Sequence, residues 1–183
     1  IFYLSGVDQE ESILLLFPNA PYENQREILF LKETSEHIAI WEGEKLTKER
    51  AFEVSGIKTV YWLQDFEKIL NEMMSYSEIM YINTNEHYRA SVDTETREAR
   101  FVKWWKEKYP AHQVAKSNTI LQRLRSVKES EEIDLIQHAC DITERGFRRL
   151  LSFVKPNVTE YEIGAELIHE FIRNRSKGFA YTP

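Results

Sequence analysis

The sequence holds a single cysteine, Cys140. One thiol excludes an intrachain disulfide framework and suits a reducing compartment. Long apolar runs are missing too. The longest, residues 13–17 (ILLLF), falls far short of the ~20 residues a membrane-spanning helix needs. An excess of positive charge is absent: 24 Lys and Arg face 30 Asp and Glu, for a net charge of -6. Nucleic acid and anionic membranes favour the opposite sign, so neither is expected as a partner. With only six glycines there is no Gly-rich phosphate loop, and no G-x-S-x-G turn that would expose a nucleophilic serine. The chain starts Ile1-Phe2-Tyr3-Leu4, without a basic leader or cleavage signal, and stops at Ala180-Tyr181-Thr182-Pro183. Both ends are expected to be cuts through the structure of a longer polypeptide.

What is present is a soluble, foldable composition, 42% hydrophobic and 30% charged. The 183 residues suffice for one domain and part of a second. Residues 12–17 and 27–32 are apolar runs bounded by Pro, Asn and Glu, and are expected to be strands that pair antiparallel. Residues 47–56 predict a short helix with Gly56 just past its end. Residues 57–63 predict a strand, 64–75 an amphipathic helix, 78–83 a further strand, and 94–110 a helix stopped by Pro110. Alternating strands and helices predict an α/β fold with some parallel pairing.

The character changes from Ser126. Ile133, Ile136, Cys140, Thr143, Phe147, Leu150 and Val154 recur at steps of three and four, which predicts one buried stripe on a long helix. Lys155-Pro156-Asn157 stops that helix. Thr159-x-x-Glu162 then forms a capping box for a second helix with Ile163, Leu167 and Phe171 on its apolar face. Arg173, Arg175 and Lys177 suit its C-terminal end, before Gly178. Such a hairpin cannot bury its own stripes and opens a second domain.

Little chemistry is complete within these residues. The five histidines, His37, His87, His112, His138 and His169, show no metal-ligand spacing. His169-Glu170 begins like H-E-x-x-H, but Arg173 stands where the second histidine belongs. Asp134 and Asp141 share a helix face that is expected to be solvated. Cys140 lies on the apolar stripe and is expected to be a buried core thiol. Residues 100–110 interleave basic and aromatic side chains, as single-strand binders do. Phe101, Val102 and Trp105 nonetheless share one helical face, so packing is the expectation there.

The ordered set of motifs resembles one family. FYLSGVDQEESILLLFP (2–18) resembles the segment preceding an apolar strand in the N-terminal domain of aminopeptidase P proteins. EILFLKETSEHIAIWEGEKLTKERA (27–51) resembles the next strand and that family's Trp-x-Gly, here Trp41-Glu42-Gly43. ILQRLRSVKESEEIDLIQHACDITERGF (120–147) looks like the domain junction. VKPNVTEYEIGAELIHEFIRNRSKGFAYTP (154–183) looks like the second helix and the Ala-Tyr segment before the first catalytic strand. Two positions depart from the pattern. Glu129-Ser130 replaces Ser-Pro at the junction, where Ser126-x-x-Glu129 is expected to cap the helix. Asn157 replaces the glycine after Pro156, a position where Asn tolerates the left-handed conformation.

The resemblance implies an α/β, mixed-sheet creatinase/prolidase N-terminal domain, ribonuclease-H-like, over residues 1–122 and without its first strand and helix. Residues 123–183 would be the first two helices of a pita-bread α+β catalytic domain. It implies an Xaa-Pro aminopeptidase or Xaa-Pro dipeptidase, cytoplasmic and a homo-oligomer (dimer or tetramer), acting on peptides with proline second. Two divalent metal ions, manganese by family habit, would bridge a water that attacks the bond before proline. Their five ligands would fall beyond Pro183, so these residues bind no metal and are inactive alone. On the substrate side the resemblance points to Trp41, an aromatic wall for a proline ring, and to Tyr181. An alternative stays open: a non-catalytic peptide- or protein-binding module on the same scaffold.

Overall fold

The computed structural model describes residues 1–33, 37, 39–40, 43–84 and 94–181. They form two compact units, Ile1–Ser117 and Asn118–Pro183.

The first unit opens with a single helical turn, α1 (Phe2–Ser5). Strand β1 (Ile13–Leu16) then runs antiparallel to β2 (Glu27–Leu31), with Ile13 opposite Phe30. This is the pairing expected from the two apolar runs. Helix α2 (Lys48–Ser55) carries the chain to β3 (Thr59–Trp62), which pairs parallel to β2. Helix α3 (Phe66–Met74) follows, then β4 (Ile79–Ile82). Helix α4 (Arg97–Lys108) leads to β5 (Gln113–Lys116), parallel to β4. Parallel neighbours need a crossover, and the helices supply it. The result is a three-stranded mixed sheet and a two-stranded parallel one.

Local chemistry sets the helix ends. Thr47 caps α2 by accepting the Arg50 backbone N–H at 3.2 Å, and Gly56 ends it with φ 73°. Thr96 caps α4 in the same way, accepting from Ala99 at 3.1 Å.

Strand β2 is buried on both faces, which explains its unbroken apolar run. Ile28 and Phe30 point into a core with Leu15, Phe66, Leu70, Met73, Met74, Ile82 and Trp105. Leu29 and Leu31 point the other way, against Val7, Ala51 and Ile57. Side chains alternate faces along a strand, so one segment serves two cores. Phe30 meets Phe66 edge to face at 5.2 Å. As expected from its helical face, Trp105 packs inside, with Phe101 and Val102 beside it.

The second unit is helical: α5 (Asn118–Ser126), α6 (Ser130–Phe153) and α7 (Glu160–Arg173). Three expectations need correcting here. The stripe through Ile133, Ile136, Cys140, Thr143, Phe147 and Val154 is exposed, and Leu150 is half-buried. The line that meets α7 is displaced by one residue, ~100° round the helix. It runs through Ile142 and Gly146, which are buried, and Arg149 and Phe153, which are half-buried. Gly146 lets Leu167 and Phe171 approach closely, and Arg149 donates to Glu166 at 2.5 Å. The expected buried thiol is corrected with the stripe: Cys140 is exposed.

The α6 cap differs as well. Ser126 is spent in the last turn of α5, donating to Arg123 O at 2.9 Å. Glu129 is the N-cap, in a reciprocal box with Glu132, whose carboxylate accepts the Glu129 N–H at 3.1 Å. Nor is Gly178 the end of α7. Arg175 takes the left-handed position at φ 61°, its N–H donating to Ile172 O and that of Ser176 to Phe171 O. That is a Schellman closure with arginine where glycine is usual. Asn157, at φ 74°, does take the left-handed conformation foreseen for it.

The Thr159–Glu162 box forms as the sequence predicts. The Thr159 hydroxyl and N–H donate to the Glu162 carboxylate at 2.6 and 2.7 Å, and hold its carboxyl below the ordinary value of 4.5. A carboxyl depressed by folding stabilises above its unfolded pKa, and that stability is lost as pH falls through the folded value. E162Q is therefore expected to flatten the loss of α7 helicity below pH 4.5, followed by circular dichroism. Identical acid limbs in both proteins would refute the assignment.

Candidate functional site

Two residues were expected on the substrate side. Trp41 lies outside the described residues. The segment just after it is held firmly. Gly43 takes φ 79° and its N–H donates to Ala39 O at 3.0 Å. Gln9 Oε1 accepts from the Leu46 N–H at 2.7 Å, and Lys45 donates to the Glu10 carboxylate. That hydrogen bond holds the Glu10 carboxyl below the usual range.

Tyr181 is 88% exposed. The chain leading to it is anchored: Phe179 stacks on Phe171 at 5.0 Å, and Ser176 Oγ donates to Gly178 O at 2.8 Å. Tyr181 thus follows a fixed turn with its own ring free of the hairpin.

The other candidates do not converge. His138, His169 and Asp134 are exposed on their helices. Asp141 accepts from Gln137 Nε2 at 2.8 Å. His87 lies outside the described residues. Among the described residues, no three His, Cys, Asp or Glu side chains gather as metal ligands would. None of their helices is long and apolar enough to cross a membrane.

One constellation was not foreseen. Trp105, Tyr109 and His112 pack as a ring trio, with centroids 5.6, 6.2 and 5.7 Å apart. The signal lay in the spacing Trp105-x-x-x-Tyr109 at the end of α4, with His112 just before β5. His112 Nε2 sits 3.0 Å from Met74 O. A carbonyl only accepts, so Nε2 carries the proton and Nδ1 of the neutral ring is an acceptor.

The sequence pattern of the aminopeptidase P N-terminal domain matches residues 1–81, and that of metallopeptidase family M24 matches residues 134–183. Both patterns, in this order, are those of aminopeptidase P proteins. Over 180 residues it is 24% identical to an Xaa-Pro aminopeptidase of Haemophilus influenzae, covering 98% of this chain and 39% of that protein. To the Xaa-Pro aminopeptidase 3 of Homo sapiens it is 24% identical, covering 99% of this chain and 36% of the relative. A solved structure from Bacillus anthracis superimposes with a TM-score of 0.86 at 27% identity, over 98% of this chain and 42% of that one. Aminopeptidase P from E. coli gives a TM-score of 0.82 at 21% identity, over 99% and 41%. The chain thus spans about two fifths of the length of the relatives it matches. The mixed α/β architecture expected from the family motifs is the one these aminopeptidase P structures share: an N-terminal domain followed by the start of the M24 domain.

Proposed function

We propose that this chain is part of a cytoplasmic dimetal Xaa-Pro aminopeptidase or Xaa-Pro dipeptidase, which removes an N-terminal residue preceding proline. The observation that carries the reading is the match of two family patterns, in the family's order, on one chain. The metallopeptidase pattern, and a zinc-substituted E. coli aminopeptidase P solved with product, support divalent metal ions; manganese is our assignment. The described residues do not fit a metal pair, since no ligand cluster forms among them. They are therefore assigned to the substrate side and to assembly.

In this proposal residues 1–122 form the domain that makes subunit contacts in a homo-oligomer and restricts access to a free amino terminus. Residues 123–183 open the catalytic domain. Trp41 offers a flat apolar wall to the proline ring. Tyr181, whose ring is free of the hairpin, presents a phenol that hydrogen-bonds substrate.

Two measurements test this. These 183 residues, given manganese and an Xaa-Pro peptide, are expected to show no hydrolysis; metal-dependent turnover would sink the division of labour. In a polypeptide joining this stretch to the metal-bearing remainder of the family pattern, W41A is expected to raise KM about tenfold and leave kcat within about twofold. An unchanged KM would return Trp41 to a surface role.

A further inference from the structure

Past the end of α7 the chain does not trail away. Asn174 ties the turn to both helices: its Nδ2 donates to Glu170 O at 2.7 Å, and its Oδ1 accepts from Arg145 of α6 at 2.7 Å. The Ser176 N–H donates back to Phe171 O at 3.0 Å. Three residues on, the Phe179 ring lies on that of Phe171, with centroids 5.0 Å apart and planes 25° apart. Phe179 is 37% exposed, against 88% for Tyr181. The platform under it is itself confined, since Phe171 packs where Gly146 of α6 has no side chain. Stacked rings of this kind contribute beyond the area they bury.

Phe179 stands two residues before Tyr181, and the Ser176 amide five. A chain reaches at most about 3.5 Å per residue. Tyr181 therefore ranges within about 7 Å of an anchored Phe179, but within about 18 Å of Ser176. With the stack, the volume open to Tyr181 is smaller by a factor on the order of ten. Its effective concentration at a fixed point rises to match. One face of the Phe179 ring is spent on Phe171, and the side chain has no polar group to offer a substrate.

We propose that Phe179 is a positioning residue, whose stack on Phe171 fixes the point at which the Tyr181 phenol meets the substrate. The inference rests on the substrate role assigned to Tyr181 above. It gives the α6–α7 hairpin a part in recognition: the packing of Phe171 beside Gly146 carries through Phe179 to a substrate-binding group.

The test is a double-mutant cycle in the polypeptide joining this stretch to the metal-bearing remainder of the family pattern, read as KM and kcat for an Xaa-Pro peptide. Y181F removes one hydrogen bond to substrate and is expected to raise KM about tenfold, with kcat within about twofold. F179A is expected to raise KM by about threefold to tenfold and to spare kcat in the same way. In the Y181F background F179A should change KM by less than about twofold, because the group it acts through is gone. F179Y keeps a stacking ring and should restore KM. An unaltered KM in F179A, or equal effects of F179A in both backgrounds, would overturn the proposal and leave the role of Tyr181 standing. An unchanged KM in Y181F would overturn both. Should F179A fail to fold, F179L, which fills the space but offers no ring to stack, carries the cycle in its place.

Discussion

Replacing Gly146 with valine is expected to unlock the α6–α7 hairpin. A Cβ at that position would lie 2.7 Å from Leu167 Cδ1 and 2.9 Å from Phe171 Cε1. Leu167 can swing the end of its side chain aside. Phe171 has less freedom, because Phe179 stacks on it at 5.0 Å. Alanine sets two effects against each other. Helix propensity favours it by about 1 kcal/mol, while overpacking costs about 1–3 kcal/mol. The net change for G146A is therefore small, on the order of 1 kcal/mol of destabilisation. Valine adds two methyls to the same clash and gains little propensity, so a loss of about 3 kcal/mol is expected. Hydrogen exchange checks this by segment. Amides of α6 and α7 should lose protection in G146V while those of β2 keep theirs. Equal protection in the hairpin of both proteins would show that the close approach is not what holds it.

Truncating Phe30 is expected to have the largest effect in the first unit. Its ring is fully buried, edge to face with Phe66 at 5.2 Å and stacked near Tyr61 at 6.1 Å. Phe-to-Ala changes in such settings cost about 3–5 kcal/mol. Domains have only about 5–15 kcal/mol in total, so F30A should remove a large fraction of the first unit's stability. Leu16 on the neighbouring strand is 50% exposed and serves as the control. L16A should cost under about 1 kcal/mol. The urea midpoint of β-sheet unfolding separates the two, and similar midpoints would contradict the two-sided core.

Most of the fold was legible because its signals are local. The apolar runs of β1 and β2, the glycine after α2, and the Thr159–Glu162 box each act within a few residues. Their consequences appear where the pattern puts them. Elements without such signals were missed. Strand β5 (QVAK) has a single β-branched residue, and α5 follows it directly. The apolar stripe of α6 and the line that meets α7 differ for another reason. Periodicity finds the most apolar line on a helix, but partner choice depends on close approach and charge. Gly146 and Arg149 decide the contact with α7, and neither scores as apolar. Trp41 and Tyr181 were singled out only through ordered motifs, since they lie far apart along the chain. The ring trio at Trp105 escaped because periodicity assigns a tryptophan to a core without asking whether its N–H has found a partner.

The two units also differ in how far apart along the chain their partners lie. In the first unit Ile28 must find Thr59, and Ile79 must find Gln113, before either parallel ladder can form. Each pairing closes a long loop, and the entropy of closure is spent before any ladder bond repays it. In the second unit α6 and α7 are joined by a turn of a few residues, so their contacts can form stepwise outward from that turn, through Arg149–Glu166 and then Gly146–Phe171. The hairpin can therefore assemble on the fast timescale of local helix pairing, while the sheet waits on a slower search. The stretch carrying Gly146 is therefore expected to order before the buried face of β2 is covered.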